Sequence, residues 1–534
     1  MKLLNLVAVL LALVVLLTAC GEKPPTMSVV QAPTAPTYDD VTQIVLSDSD
    51  ITVDGVSAGT DATAAVYTAN DIVYYESGKD FTYGEGNEKD AHSPDEAAAH
   101  TVVYITKPGV YSLSGKLSLG QIAVDLGADA KKNPNAVVTL VLNGVDITCK
   151  VAPAMIFYNV YECGNDDTEK ASENVDTSAA GANVIIADGT VNTVNGSYVE
   201  RIYKPDSVVL NKDKTEVEDA DKLHKYDGAF YSKRSMNIFG GKENTGVLNI
   251  KAENEGLDSE MHLTINGGNI HIESGNDGIN TNEDGISVTT VNGGKLTIKV
   301  TGKTGEGDGI DSNGWLVING GTVVAAACSN SADAGIDSDM GIHINGGTVI
   351  ATGHMLDRIE DGGQNYAVFN FAQKQTSSET VTMKDQDGKT ILEVKPANAY
   401  SILIFSSPNL IAGNYTLWSN EKQLAGSAGG MMGGPGMGPG GMDRPEQPDN
   451  MQPPADGQQP PEGFVPPEGG TPPDSFTPPQ GGTPPEDGDR PEMPEGNRTG
   501  NAGSNRVGAL EMTPDFIIRD GGNMFSGISQ NGEQ

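Results

Sequence analysis

Positive charge is scarce in this chain. Only 34 Lys and Arg stand against 72 Asp and Glu, a formal net charge of −38. That balance argues against a nucleic-acid or anionic-membrane partner, because both present dense negative charge. It favours an exported surface protein, one that gathers cations. Aromatic residues are also few, at 5%, while Gly reaches 67, which suits a thin, turn-rich β core rather than a thick conventional one. The four cysteines have no metal-ligand spacing, and no Ser-His-Asp, zinc or nucleotide-binding arrangement occurs. The one leading apolar run, Leu6 to Leu17, is too short to span a bilayer.

What the chain has instead is repetition. Leu263-Thr-Ile-Asn-Gly-Gly268, Thr290-Val-Asn-Gly-Gly294, Leu316-Val-Ile-Asn-Gly-Gly321 and Ile342-His-Ile-Asn-Gly-Gly347 share one signature, and Met236-Asn-Ile-Phe-Gly-Gly241 is a worn copy. The closing glycines fall at 241, 268, 294, 321 and 347, steps of 27, 26, 27 and 26. A second signature precedes each: Gly256-Leu-Asp-Ser259, Gly278-Ile-Asn-Thr281, Gly309-Ile-Asp-Ser312 and Gly335-Ile-Asp-Ser338. Two signatures at one period mark a repeat architecture. Within each unit apolar and polar residues alternate, which predicts short strands divided by Gly, Asn and Asp turns. One unit cannot bury its apolar face alone, so neighbours must stack. The expected fold is all-β: a parallel β-helix, about 26 residues per coil, with three short strands per coil and coils about 4.8 Å apart. A calcium β-roll, built on nine-residue repeats, does not fit that period.

The rest of the chain arranges itself around the repeat. Residues 1–19 read as a signal peptide ending in the lipobox Leu17-Thr-Ala-Cys20-Gly, with Cys20 as the lipidated first residue and 20–37 as a tether. Residues 38–135 are expected to form an N-terminal β cap with the strands that lead into the solenoid, and 136–355 the solenoid itself. Gly189 and Gly241 are 52 residues apart, which reads as two periods with a polar insertion at 197–225. Residues 356–425 read as a C-terminal β cap, and 426–505 as a disordered Pro/Gly/Met-rich loop. Residues 506–534 are expected to return and pair with that cap. Cys149 and Cys163 could form a disulfide in an exported protein, and Cys328 reads as a buried small hydrophobe.

These motifs carry a resemblance. The stretch Val103-Tyr-Ile-Thr-Lys-Pro-Gly-Val-Tyr-Ser-Leu-Ser-Gly115, the repeated signatures and the final Phe525-Ser-Gly-Ile528 resemble bacterial carbohydrate-binding lipoproteins whose right-handed parallel β-helix is related to pectate lyases. The resemblance covers about Tyr38 to Trp418 and the last strand. It implies a non-catalytic surface protein, anchored through Cys20, that binds plant-type polysaccharide such as polygalacturonate or cellulose and carries calcium. A monomer without a nucleic-acid partner is expected. Two alternatives stand beside it: a calcium-dependent polysaccharide lyase, and a structural surface protein or adhesin.

Three columns of polar residues are candidates for chemistry. Alternation turns Asp258, Asn280, Asp311 and Asp337 outward, Glu255, Asp277 and Asp308 stand one position earlier, and Glu260, Asn282, Asn313 and Asp339 form a third column. Stacked carboxylates about 4.8 Å apart repel by about 1 kcal/mol in water and about 3.5 kcal/mol at an effective dielectric of 20. Calcium, which takes six to eight oxygens, would relieve this; a solvated acidic turn interleaved with Asn is the other reading. The candidate calcium ligands are Asp258, Glu260, Asp277, Asn280, Glu283, Asp284, Asp308, Asp311, Asp337 and Asp339. Asn266, Asn292, Asn319 and Asn345 read as a structural ladder. Trp315 and Tyr231 are candidate sugar contacts; for Trp315, packing beneath a loop competes with stacking on a sugar. For a lyase, Lys233 and Arg234 would supply the base, and charge balancing on an acidic face is the competing role.

Overall fold

The alternation of the repeat becomes strands that stack in register. A computed structural model describes residues 32–224, 226–429 and 512–530. The described chain is all-β with large mixed sheets, and one five-residue α-helix, Pro94–Ala98, leads into the strand Thr101–Ile105. Cys20, most of the tether and nearly all of the Pro/Gly/Met-rich segment lie outside the described residues.

Three parallel ladders dominate. Ladder one runs through Thr101–Ile105, Gly120–Asp125, Met155–Asn159, Gly228–Ser232, Glu255–Ser259, Ile279–Thr281 and Ile310–Ser312. Ladder two includes Ala182–Ile186, Met236–Gly240, Leu263–Ile265, Val288–Val291, Trp315–Ile318 and Gly341–Ile344. Ladder three includes Val191–Gly196, Val247–Ala252, Asn269–Ser274, Lys295–Val300, Thr322–Ala326 and Thr348–Gly353. The chain visits one, two and three in order and then moves to the next neighbour on each.

Register follows from the constant step. Ile238, Ile265, Val291, Ile318 and Ile344 are successive partners in ladder two, and all are buried. Leu248, Ile270, Leu296, Val323 and Val349 do the same in ladder three. Burying each such side chain contributes about 1.5–3 kcal/mol. A one-residue slip would turn the whole column to solvent. The corner between ladders two and three needs glycine. Gly321 has φ +77°, and a Cβ there would lie 2.8 Å from the carbonyl carbon of Gly293.

One stretch departs from the expected count. Ala182–Ile186 pairs directly with Met236–Gly240, and Val191–Gly196 with Val247–Ala252. The 52 residues from Gly189 to Gly241 therefore make one coil, not two. The insertion takes up the extra length, because it docks on the N-terminal region: Glu85 N–H donates to Arg201 O at 2.9 Å and Tyr203 N–H to Tyr83 O at 2.9 Å. The suggested Cys149–Cys163 disulfide is also absent, since all three described cysteines are free. Cys149 sits where ladder three turns toward ladder one, its N–H bonded to Asn195 O, whereas Cys163 lies beside Ser235 at the opposite corner.

The last repeat strand changes the pairing mode. Thr348–Gly353 pairs antiparallel with Tyr400–Ser406, which covers the open end of ladder three. Gly522–Gln530 runs parallel to Tyr366–Gln375 and antiparallel to Lys422–Ala428. Phe369, Phe516 and Phe525 pack within 5.6 Å, centroid to centroid, in the core of this region.

Candidate functional site

The acidic columns gather where ladder three turns into ladder one. Glu255, Asp277 and Asp308 each precede a glycine that the coil geometry requires; a Cβ on Gly278 would lie 2.5 Å from Gly309 O. Their carboxylates reach along the stack. Asp277 Oδ1 accepts the Asp308 N–H at 2.7 Å, and Asp308 Oδ1 accepts the Ala334 N–H at 2.5 Å. Asn280 Nδ2 donates to Glu255 Oε1 at 3.1 Å, and Asn282 Nδ2 to Asp258 Oδ1 at 2.5 Å.

Alternation turns these groups away from the apolar core, yet they are buried. Asp258 is completely buried, and Glu255, Asp277 and Asn280 are each less than 9% exposed. The solvated acidic turn expected as one reading is therefore not what forms. Burial pushes the Glu255 carboxyl well above its usual range, and the neighbouring Asp258 and Asp227 add to this. Asp277 rises for the same first reason, then through Glu255 and Asp311. Asp308 is pushed up to about 9 by burial and the Asp277 charge, Asp337 to about 7 by burial and Asp357, and Asp311 to about 6 by burial and Asp339.

The oxygens left here without hydrogen-bond partners include Glu255 Oε2 and Asn280 Oδ1, with Asn276 Oδ1 and Ser274 Oγ in the same turn. An unpartnered buried oxygen costs about 1–3 kcal/mol, so this corner suits an oxygen-seeking cation. Among the described residues, however, no three His, Cys, Asp or Glu side chains converge on one metal position. Amide and backbone oxygens would have to complete any such site, as they commonly do for calcium.

The other candidates separate. Glu283 and Asp284 are exposed, with Asp284 Oδ1 accepting from Asn313 Nδ2 at 2.8 Å. They stand apart from the buried row; Asp339 is exposed but close enough to raise Asp311, and Glu260 is half-buried. Tyr231 is a correction: expected to face a sugar, it is 1% exposed and its hydroxyl donates to Glu260 Oε1 at 2.8 Å. The Tyr226 ring at the end of the insertion packs edge-on against it at 5.2 Å, and His224 stacks on Tyr226 at 4.3 Å. Trp315 remains half-buried at the start of its ladder-two strand, beside Gly341, which has no side chain to cover it. Glu360, paired with Arg358 at 2.6 Å, lies over Gly341. Lys233 and Arg234 are half-buried one coil before Glu260, and Lys233 stands near enough to His224 to lower its pKa further, after burial, to about 4.

Sequence reasoning missed Asp227 and Asp357. Asp227 joins the charge around Glu255 and pairs with Arg201 from the insertion at 3.0 Å. Its position before Gly228 repeats the Asp277-Gly278 pattern and could have revealed it. Asp357 accepts the Ser338 N–H at 3.1 Å from beyond the last repeat, where no periodic signal exists.

An all-β scaffold of stacked parallel strands with a buried acidic corner is the class that the structure defines. A model of the family described as "Carbohydrate-binding domain-containing protein" matches residues 99–399, more than half of the chain, and the chain belongs to that family. A carbohydrate-binding domain-containing protein of Acetivibrio thermocellus is 30% identical over 174 residues, 32% of this chain; the match spans 45% of that relative's length. A solved structure described as the polysaccharide lyase-like protein from C. thermocellum, a gadolinium derivative, aligns at 20% identity and a TM-score of 0.33, over 58% of this chain and 90% of that one.

Proposed function

We propose that this protein is a non-catalytic, calcium-containing carbohydrate-binding lipoprotein of the bacterial cell surface, built on a right-handed parallel β-helix and binding a plant-type polysaccharide such as polygalacturonate or cellulose. Family membership supports the carbohydrate. The parallel ladders with their steps of 26 and 27 support the helical reading. One observation carries the calcium: buried Glu255 Oε2 and Asn280 Oδ1 lack hydrogen-bond donors within a row of acids that burial, and then mutual charge, already raises. Glu255 and Asn280, with Asp277, Asp308 and Asp311 beside them, are the residues that would hold the ion. A bound divalent cation would neutralise the row and let so acidic a protein approach a carboxylated polymer. Trp315 is the aromatic surface for an uncharged sugar face. The anchor at Cys20 rests on the lipobox alone.

Affinity electrophoresis on polygalacturonate and on cellulose derivatives, with and without chelator, tests this reading. Retardation by at least one polymer is expected, weaker with chelator for polygalacturonate and weaker in Trp315→Ala for cellulose. Unchanged mobility in every gel would rule it out. The lyase alternative rests on Lys233 near the acidic columns, and absorbance from an unsaturated uronide product would reveal it.

A further inference from the structure

A groove lies away from Trp315, where residues 85–92 meet the turns from ladder three into ladder one. It encloses about 770 Å³, lined by residues that include Lys89, Lys150, Lys251 and Lys303. Small-ligand sites generally fall at about 300–1,000 Å³. Four lysines on one groove are unexpected in a chain with a charge of −38.

The groove's own carboxylates are already engaged. Tyr198 O–H donates to Asp90 Oδ1 at 2.6 Å, and Asn87 N–H donates to Asp90 Oδ2 at 2.8 Å. Glu85 pairs with Lys222 at 2.7 Å, Glu200 with Arg201 at 3.8 Å, and Glu253 with Lys303. Lys251 shares Glu273 with Lys299, each at 3.7 Å. Among the described residues, Lys89 and Lys150 make no ion pair. Two ammonium groups without an ion-pair partner therefore face a groove in which three acids are paired with cations and Asp90 is held by neutral donors.

The walls are fixed by the backbone. Cys149 N–H donates to Asn195 O at 2.9 Å, Ser197 N–H to Ala152 O at 3.1 Å and Glu253 N–H to Gly196 O at 3.1 Å. Buried His100 holds the base of Lys150. Its Nε2 accepts the Lys150 N–H at 3.2 Å, while Nδ1 donates to Glu96 O at 2.9 Å, a neutral tautomer set by both partners. The amides of Asn195 and Asn254 add polar groups suited to hydroxyls. The Cys149 thiol, pushed up to about 12 by burial, offers no nucleophile.

We propose that this groove binds a short carboxylate-bearing glycan segment directly, through Lys89 and Lys150, without a divalent cation. The proposal rests on the carbohydrate-binding reading but not on its calcium. The lysines match negative charge, and the amides match hydroxyls.

Calorimetric titration of the full chain in chelator, with an oligogalacturonate as probe, tests it. The expected result is binding that weakens with salt and is not competed by a neutral cello-oligosaccharide of the same length or by inorganic phosphate. The Lys89→Gln/Lys150→Gln variant should bind about fivefold to tenfold more weakly, the scale of two exposed charge contacts, while Lys150→Arg retains affinity. An unchanged melting temperature shows that the exposed substitutions leave the fold intact. Equal binding by the double variant, or equal competition by the neutral sugar or phosphate, overturns the proposal. If oligogalacturonate binds only when calcium is restored, the groove falls and the carbohydrate-binding reading stands; if it and cellulose are ignored under both conditions, both fall.

Discussion

Two rows of polar side chains climb the same coils with opposite outcomes. In the asparagine row, Asn292 donates to Asn266, Asn319 to Asn292 and Asn345 to Asn319, each at 2.9 Å. An amide both donates and accepts, so this row satisfies itself as it grows. In the acidic row every ionised carboxylate only accepts, and each must borrow a donor. Asp277 and Asp308 take backbone N–H groups from the next coil, and Glu255 takes one amide from Asn280. Glu255 Oε2 and Asn280 Oδ1 are left over. The same period thus produces a finished scaffold at one corner and an unfinished one at the other.

The largest difference between the rows should appear on titration. Asp308, Asp337 and Asp311 hold their protons in the folded state up to about 9, about 7 and about 6, by burial first. The unfolded chain releases them near the ordinary aspartate value of 3.8. Folding therefore takes up protons, and in chelator stability should fall as pH rises from about 4 toward about 9. Thermal melts across that window check the slope, and a flat profile would mean the row is better neutralised than its burial indicates. Calcium at a hundredfold excess over its dissociation constant should restore about 2.7 kcal/mol, increasingly so at higher pH because binding requires the deprotonated ligands. Identical calorimetric scans with and without the ion would remove it from the row.

The asparagine row should ignore both treatments. Asn292→Ala removes bonds to both neighbours and should cost about 2–3 kcal/mol, read from denaturant unfolding with or without calcium. Asn345→Ala, at the exposed end with a single row bond, should cost less than about 1 kcal/mol. Equal losses would show that the row does not act as a chain. A similarly small change is expected for Tyr231→Phe, which deletes one hydroxyl bond to Glu260. It should lower stability by about 1 kcal/mol and leave polysaccharide retardation unchanged; a loss of binding would restore Tyr231 as a contact.

Much of the fold was legible because it is local and periodic. The strand alternation, the asparagine corner and the stacking of Ile265 on Val291 and Ile318 follow from a constant step, which any reader of the sequence can count. The count failed between Gly189 and Gly241, where two periods' worth of residues serve one coil, since an insertion can imitate a repeat in length. At the candidate site, the alignment of Glu255, Asp277 and Asp308 was legible and their burial was not. Tyr231 was misjudged because alternation says which way a side chain leaves its strand, not what then covers it; here Tyr226 does.

By itself the sequence determined the period, the strands, and which residues would stand above one another, because these depend only on spacing and turn chemistry. Tertiary structure alone decided which outward columns would be sealed from water, where Arg201 and Asp357 would meet them, and that Lys89 and Lys150 would share one groove. Those outcomes depend on segments remote in sequence folding back onto the stack, and burial, which sets the energy of every charge on it, exists only after they have done so.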